Sequence, residues 1–447
     1  MHLPNCLLAL PVLLAAPVLS SSYHFNPLDH SAGTAPYFTP HNPPLQPSPP
    51  QGCNVTRAAY LVRHAAIYPN DFEYETYIEP FVKKLQNTSQ HHWQSTKALA
   101  FLSNWTAPAE EHHLEKLTKF GLQEARSLGA TLHKRYVHFK APARIWSSTA
   151  ERTVKSAEGF LTGFTDNHTE SINLTQVAES KKAGADSLTP YKGCSAYSSS
   201  YGSDQSSAFG KVYTKPIIAR LNAEAPSFNF TQNDITGMFE LCGYETVIRG
   251  SSPFCSLKLF SPDEWLGYEY ANDLMYFHNA GYGRELSSTL GLPWVNASVT
   301  ALRDESLSQE LYVSFTHREV PPMVLTALGL YNNSAYSGAN NVNGTMPEDR
   351  INYNRDWKSS EILPFLTNIA IEKMSCESYG YDEGDYYRIL NNAGPQPLVD
   401  CRDGPGGSCS QDSFHDFVKE RLESTVGYNA ACGGDSDYPT SLSLYEV

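Results

Sequence analysis

An arginine followed directly by a histidine, Arg63-His64, is the pair in this sequence best suited to chemistry on phosphorus. A neutral imidazole is a nucleophile that attacks a phosphoryl group and carries it as a phosphohistidine. The neighbouring guanidinium is a planar fork of donors that matches two phosphate oxygens at once. Taken alone, the dipeptide reads more readily as a surface or capping pair, so its surroundings have to carry the assignment.

Those surroundings are two strands that each finish at a histidine. Arg57 to Val62 is a short, mostly apolar run that predicts a strand buried on both faces. It ends at Arg63-His64, and a loop containing Pro69 follows. Glu310 to Thr316 predicts another strand, ending at His317, and the helix predicted after it holds Pro321 and Pro322 in its first turn. Between them the pattern predicts a helix over 114–138, a strand over Ala143–Ser148, a helix over Glu151–Phe164, a loop over 191–207, and helices over 206–224 and 263–289. Strands that run into helices in this way predict an α/β fold, in which sites lie beyond the carboxyl ends of the strands.

Longer segments carry a family likeness. LVRHAAIYP (61–69), LTKFGLQEARSLGATLHKRY (117–136), SSTAERTVKSAEGFLTGF (147–164), SFTHREVPP (314–322) and FVKERLESTVGYNAACG (417–433) occur in that order. Together they resemble the fungal histidine acid phosphatases and phytases, branch 2 of the histidine phosphatase superfamily, whose signature is R-H-G-x-R-x-P. The likeness runs from about Cys53 to Cys432. It implies a phosphoglycerate mutase-like fold: a central, mostly parallel sheet flanked by helices, with a smaller helical insertion domain and the site in the cleft between them. It implies His64 as nucleophile, Arg63, Arg152 and His317 as the phosphate-binding groups, and an acid beside His317 as proton donor. It implies neither metal nor other cofactor. The disulfides it implies are Cys53–Cys376, Cys194–Cys432, Cys242–Cys255 and Cys401–Cys409, a pairing that spacing alone leaves open.

The centre of the signature departs from the family. The glycine is Ala65 and the second arginine is Ile67, which cannot bind phosphate. After His317 comes Arg318 in place of the acid, leaving Glu319, at the position of the glutamate in an H-A-E variant, as candidate donor. On sequence alone, restoring arginine at position 67 is expected to raise activity. The likeness therefore implies a phosphomonoester hydrolase acting through a phosphohistidine, with phytate and other inositol phosphates within its reach. The alternative is an impaired member that binds a phosphorylated ligand without efficient turnover. A mutase of the same superfamily is disfavoured by the export signals that follow.

Residues 1–20 contain no Lys, Arg, Asp or Glu and include the apolar run Leu7–Leu19, the pattern of a cleaved signal peptide. Eight cysteines remain beyond it, an even number suited to an oxidising compartment. Sequons for N-glycosylation stand at Asn54, Asn87, Asn104, Asn167, Asn173, Asn229, Asn296, Asn332 and Asn343. The expected location is outside the cell or in its wall. The formal charge of −14 argues against nucleic acid or an anionic membrane as partner, so a phosphorylated small molecule would be drawn by a local basic pocket. The expected division is a signal peptide at 1–20, a Pro-rich extended arm at 21–52, a first α/β part at 53–164, a mainly helical insertion at 165–300 and a second α/β part at 301–447.

Overall fold

The computed structural model describes residues 25–39, 45–88, 93–165, 172–334, 343–434 and 437–445. The signal-peptide segment and the sequon at Asn167 lie outside the described residues. In chain order the strands are β1 (Cys53–Arg63), β2 (Arg144–Ser148), β3 (Asn173–Val177), β4 (Leu311–Thr316), β5 (Asn368–Cys376), β6 (Gly384–Asn391), β7 (Gly394–Pro395) and β8 (Cys409–Ser410). They form one sheet in the order β3-β2-β4-β1-β5-β6-β7, with β8 added on β6. β3, β2, β4 and β1 run parallel, and β5 and β6 continue the sheet antiparallel. β4 is buried at every residue and β1 is buried from Ala58 onward, as parallel strands covered on both faces must be.

The principal helices are α1 (Glu79–Gln86), α2 (Lys119–Arg135), α3 (Glu151–Phe164), α4 (Ser203–Glu224), α5 (Gln232–Arg249), α6 (Pro262–Asn279), α7 (Leu286–Arg303), α8 (Val320–Ala327) and α9 (Gln411–Ser424). The fold is α/β, a mixed sheet flanked by helices. One apolar layer joins Tyr60, Val62 and Phe315 of the sheet to Leu132 and Phe160 of α2 and α3. The opposite layer joins Leu61 and Ile371 to Trp294, Val299 and Val324 of α7 and α8. A third, aromatic-rich cluster unites Phe81 of α1 and Trp93 with Phe239 of α5 and Trp265 of α6. The helical part therefore draws residues from before position 165. Conversely, segment 165–300 lends β3 to the sheet edge and α7 to its covering layer. Disulfides join Cys53 to Cys376, Cys194 to Cys432, Cys242 to Cys255 and Cys401 to Cys409.

The Pro-rich arm corrects an expectation. Within the arm expected to be extended, residues 31–35 are buried. Ala32 N donates to Ser360 Oγ at 3.1 Å, and Phe365 N donates to Ala35 O at 3.0 Å. Pro47 and Ser48 accept from Arg388, tying the end of the arm to β6. Small residues at 31–35 let the backbone come this close, and its polar groups find partners there.

Candidate active site

The parallel pairing of β1 with β4 sets Arg63 opposite Thr316, and His64 N donates to Thr316 O at 2.9 Å. The next residue on each chain is a histidine, so His64 and His317 emerge side by side at the carboxyl edge of the sheet. Their rings lie edge-to-face with centroids 5.9 Å apart. His64 is 2% exposed. Its Nδ1 lies 2.9 Å from Ala65 O. A carbonyl only accepts, so Nδ1 carries the hydrogen and Nε2 keeps its lone pair. Burial, reinforced by the charges of Arg63, Arg152 and His317, holds the His64 pKa well below the ordinary histidine value. The imidazole is neutral and nucleophilic.

Arg63 lies under the arm. Its Nη1 donates to Gly33 O at 2.7 Å and also to Leu363 O, and its guanidinium lies 4.4 Å from the centre of the Phe365 ring. Burial, with the charge of Arg318 second, brings its pKa down to about 10, so it remains a cation. Arg63 Nε is buried and has no hydrogen-bond partner among the described residues.

Arg152 comes from the first turn of α3, where an arginine faces whatever lies beyond the end of β2. One turn on, Ser156 Oγ accepts from Ala65 N at 2.9 Å, anchoring this helix to the histidine loop. Arg152 Nη1 donates to Glu115 Oε2 at 2.8 Å, while its Nε is buried without a partner among the described residues. The same loop is held from α2. Thr118 caps that helix by accepting from Gly121 N, and Thr118 N and Oγ1 both donate to Ala66 O. A Cβ on Gly121 would lie 2.2 Å from Ala66 O and 2.7 Å from Ala66 N. Gly121→Ala is therefore expected to push the loop that carries His64, lowering kcat/KM about tenfold or more and stability by about 1–3 kcal/mol. Steady-state kinetics beside thermal unfolding check this. An unchanged kcat/KM would show that the loop does not depend on this close approach.

His317 Nε2 lies 3.2 Å from Glu179 Oε1. Glu179 also receives Lys192 and, at 2.9 Å, the amide of Ala150. Burial would raise Glu179, but the bonds from His317 and Lys192 outweigh it and hold the carboxyl far below its usual range. Glu319 accepts from Tyr191 Oη at 3.2 Å and from Arg318 Nε at 3.3 Å. Burial pushes this carboxyl up too, yet the charges of Arg318 and His317 prevail and keep it below the usual value. Arg318 Nη1 donates to Glu73 Oε1 at 2.5 Å, bridging from the β4 end to the helical turn Asp71–Glu73. Arg63, Arg152 and His317 lie close enough to His64 for their charges to act on it, and His317 and Arg152 act likewise on Glu319. The partners Glu73, Glu115, Glu179 and Lys192 were not singled out by sequence, because no fixed spacing relates them to the histidines. Ile67 is fully buried, its backbone bridged to Leu117, in the aromatic cluster of the helical part.

Chemically, a neutral imidazole flanked by guanidinium donors and a carboxyl group is equipped for phosphoryl transfer. Comparison with known proteins agrees. The phytase PHO112 of Candida albicans is 28% identical, covering 97% of this chain and 92% of its own length. The acid phosphatase PHO1 of Komagataella pastoris is 29% identical, covering 94% and 90%. The crystal structure of the phytase from D. castellii superposes with a TM-score of 0.85 at 24% identity over 97% of this chain and 93% of that one, a likeness of fold. The family model of the histidine phosphatase superfamily (branch 2) matches residues 54–392, so the chain belongs to that superfamily.

Proposed function

We propose that the protein is an exported acid phosphatase that hydrolyses phosphate monoesters through a phosphohistidine on His64. The observation that carries this reading is the locked tautomer of His64, which keeps its Nε2 lone pair, under the charges of Arg63 and Arg152, each with a buried Nε–H that has no partner among the described residues. Nε2 attacks phosphorus, the N–P bond forms and the ester P–O bond breaks. Arg63, Arg152 and His317 hold the equatorial oxygens, where charge gathers. Glu319 gives its proton to the leaving oxygen, then takes one from the water that cleaves the N–P bond. Arg318 and His317 keep Glu319 ionised except at low pH, which supports an acid working range. The paired cysteines, with sequons exposed at Asn54, Asn87, Asn104, Asn173, Asn229 and Asn332, support export. No helix among the described residues is long and apolar enough to cross a membrane.

Trapping tests the intermediate. Rapid quenching with base after mixing with a radiolabelled aryl phosphate is expected to leave acid-labile label on the peptide holding His64. Turnover without such label would overturn the mechanism. A second reading, binding of a phosphorylated ligand without efficient turnover, is favoured by Ile67 standing where the family has its second arginine. Neither label nor turnover, with phosphate still bound, is the result that reading requires.

A further inference from the structure

We infer that the site accepts singly phosphorylated alcohols and discriminates against polyphosphates such as inositol hexakisphosphate, an inference that rests on the phosphatase reading. The charge around His64 is already balanced. Arg152 is paired with Glu115, Arg318 with Glu73 and Glu319, and Lys192 with Glu179. Arg63 is held by backbone carbonyls and no carboxylate. Counted together with Glu319 ionised, the cations Arg63, Arg152, Arg318 and Lys192 equal the anions Glu73, Glu115, Glu179 and Glu319. His64 is held neutral by burial, and His317 faces Glu179 at 3.2 Å. Such a shell suits one phosphoryl group, which takes the free Nε–H donors and reorganises the ion pairs.

Among the described residues, the cations on the segment after Pro69 and on the one adjoining it are paired or offset. The helical segment after Pro69 presents Asp71 and Glu75 before any cation, with Glu73 already paired to Arg318, and the first two cations are engaged. Lys83 pairs with Glu79 at 2.7 Å, and Lys84 pairs with Asp234 at 2.6 Å. On the adjoining segment Lys116 and Lys119 are exposed, but Glu110 and Glu111 offset them. At acid pH, below the second phosphate pKa of about 6, a polyphosphate would still bring about one negative charge with each additional group and meet carboxylates.

The test compares kcat/KM for p-nitrophenyl phosphate and inositol hexakisphosphate at one acid pH and low salt. The former is expected to be larger by about 100-fold. Glu73→Gln is expected to narrow the ratio about tenfold, which a purely structural effect, acting on both substrates alike, would not do. A wild-type ratio near one would overturn the inference while leaving the phosphatase reading intact. If neither substrate turns over, the phosphatase reading fails separately, and calorimetry decides the charge question. Inositol hexakissulfate binding no tighter than sulfate supports the inference, and binding tighter by about tenfold or more sinks it.

Discussion

Replacing His64 by alanine is expected to lower kcat for p-nitrophenyl phosphate by about a thousandfold or more, with the protein still folded. The size follows from what is removed. Without Nε2 there is no covalent intermediate, and the remaining groups only bind and polarise the phosphoryl oxygens. Arg63, Arg152 and His317 are each fixed by partners other than His64: backbone carbonyls, Glu115 and Glu179 respectively. They should survive the substitution, so inorganic phosphate is expected to inhibit at a similar concentration in any residual assay, and calorimetry should give a dissociation constant within a few-fold of the wild type. The thermal midpoint guards against the trivial explanation. The ring packs near His317 and Phe365, so its loss costs some contact but leaves the strand pairing of His64 N to Thr316 O intact. Equal rates in the two proteins would remove the nucleophile assignment altogether.

Residues that obey simple patterns were readable before the fold was known. β1 and β4 are apolar runs because both faces are covered, and α3 spans the very residues its pattern predicts, Glu151–Phe164. The histidines could be ranked because each ends such a run. What escapes is whatever tertiary structure imposes. α5 is buried on almost every face, so no one-sided stripe marks it, although Thr231 and Asp234 form a capping box at its start. The helix predicted over 263–289 ends at Asn279, and α7 begins only at Leu286. At Gly281, between them, a Cβ would lie 2.6 Å from the Trp357 ring. The arm reads as extended in the sequence because proline density says nothing of what lies beneath. Glu73 and Glu179 meet Arg318 and His317 across 245 and 138 residues of chain, a relation that no spacing encodes.

The same gap between motif and packing governs Ile67. Measured against the family signature, Ile67→Arg restores a lost phosphate ligand and should speed the reaction. The structure reverses that expectation. Ile67 is 0% exposed and belongs to an apolar cluster with Ile78, Phe81, Phe239 and Phe365. Its backbone is pinned by the bridge to Leu117, so the loop cannot readily turn the residue outward. A guanidinium there would be stripped of water, and the carboxylates of the site already answer Arg152, Arg318 and Lys192. Burying an unpaired charge is among the costliest single changes, so a stability loss of about 3–5 kcal/mol and a fall in kcat/KM are expected. Ile67→Leu, which keeps volume and apolarity, should cost less than about 1.5 kcal/mol and leave kinetics nearly unchanged. Urea unfolding of the two variants, run beside the p-nitrophenyl phosphate assay, separates charge from shape. Should the arginine variant unfold at the wild-type urea midpoint and turn over faster, its side chain must reach the phosphoryl site. The apolar wall at position 67 would then be a dispensable substitution, with no pocket rebuilt around it.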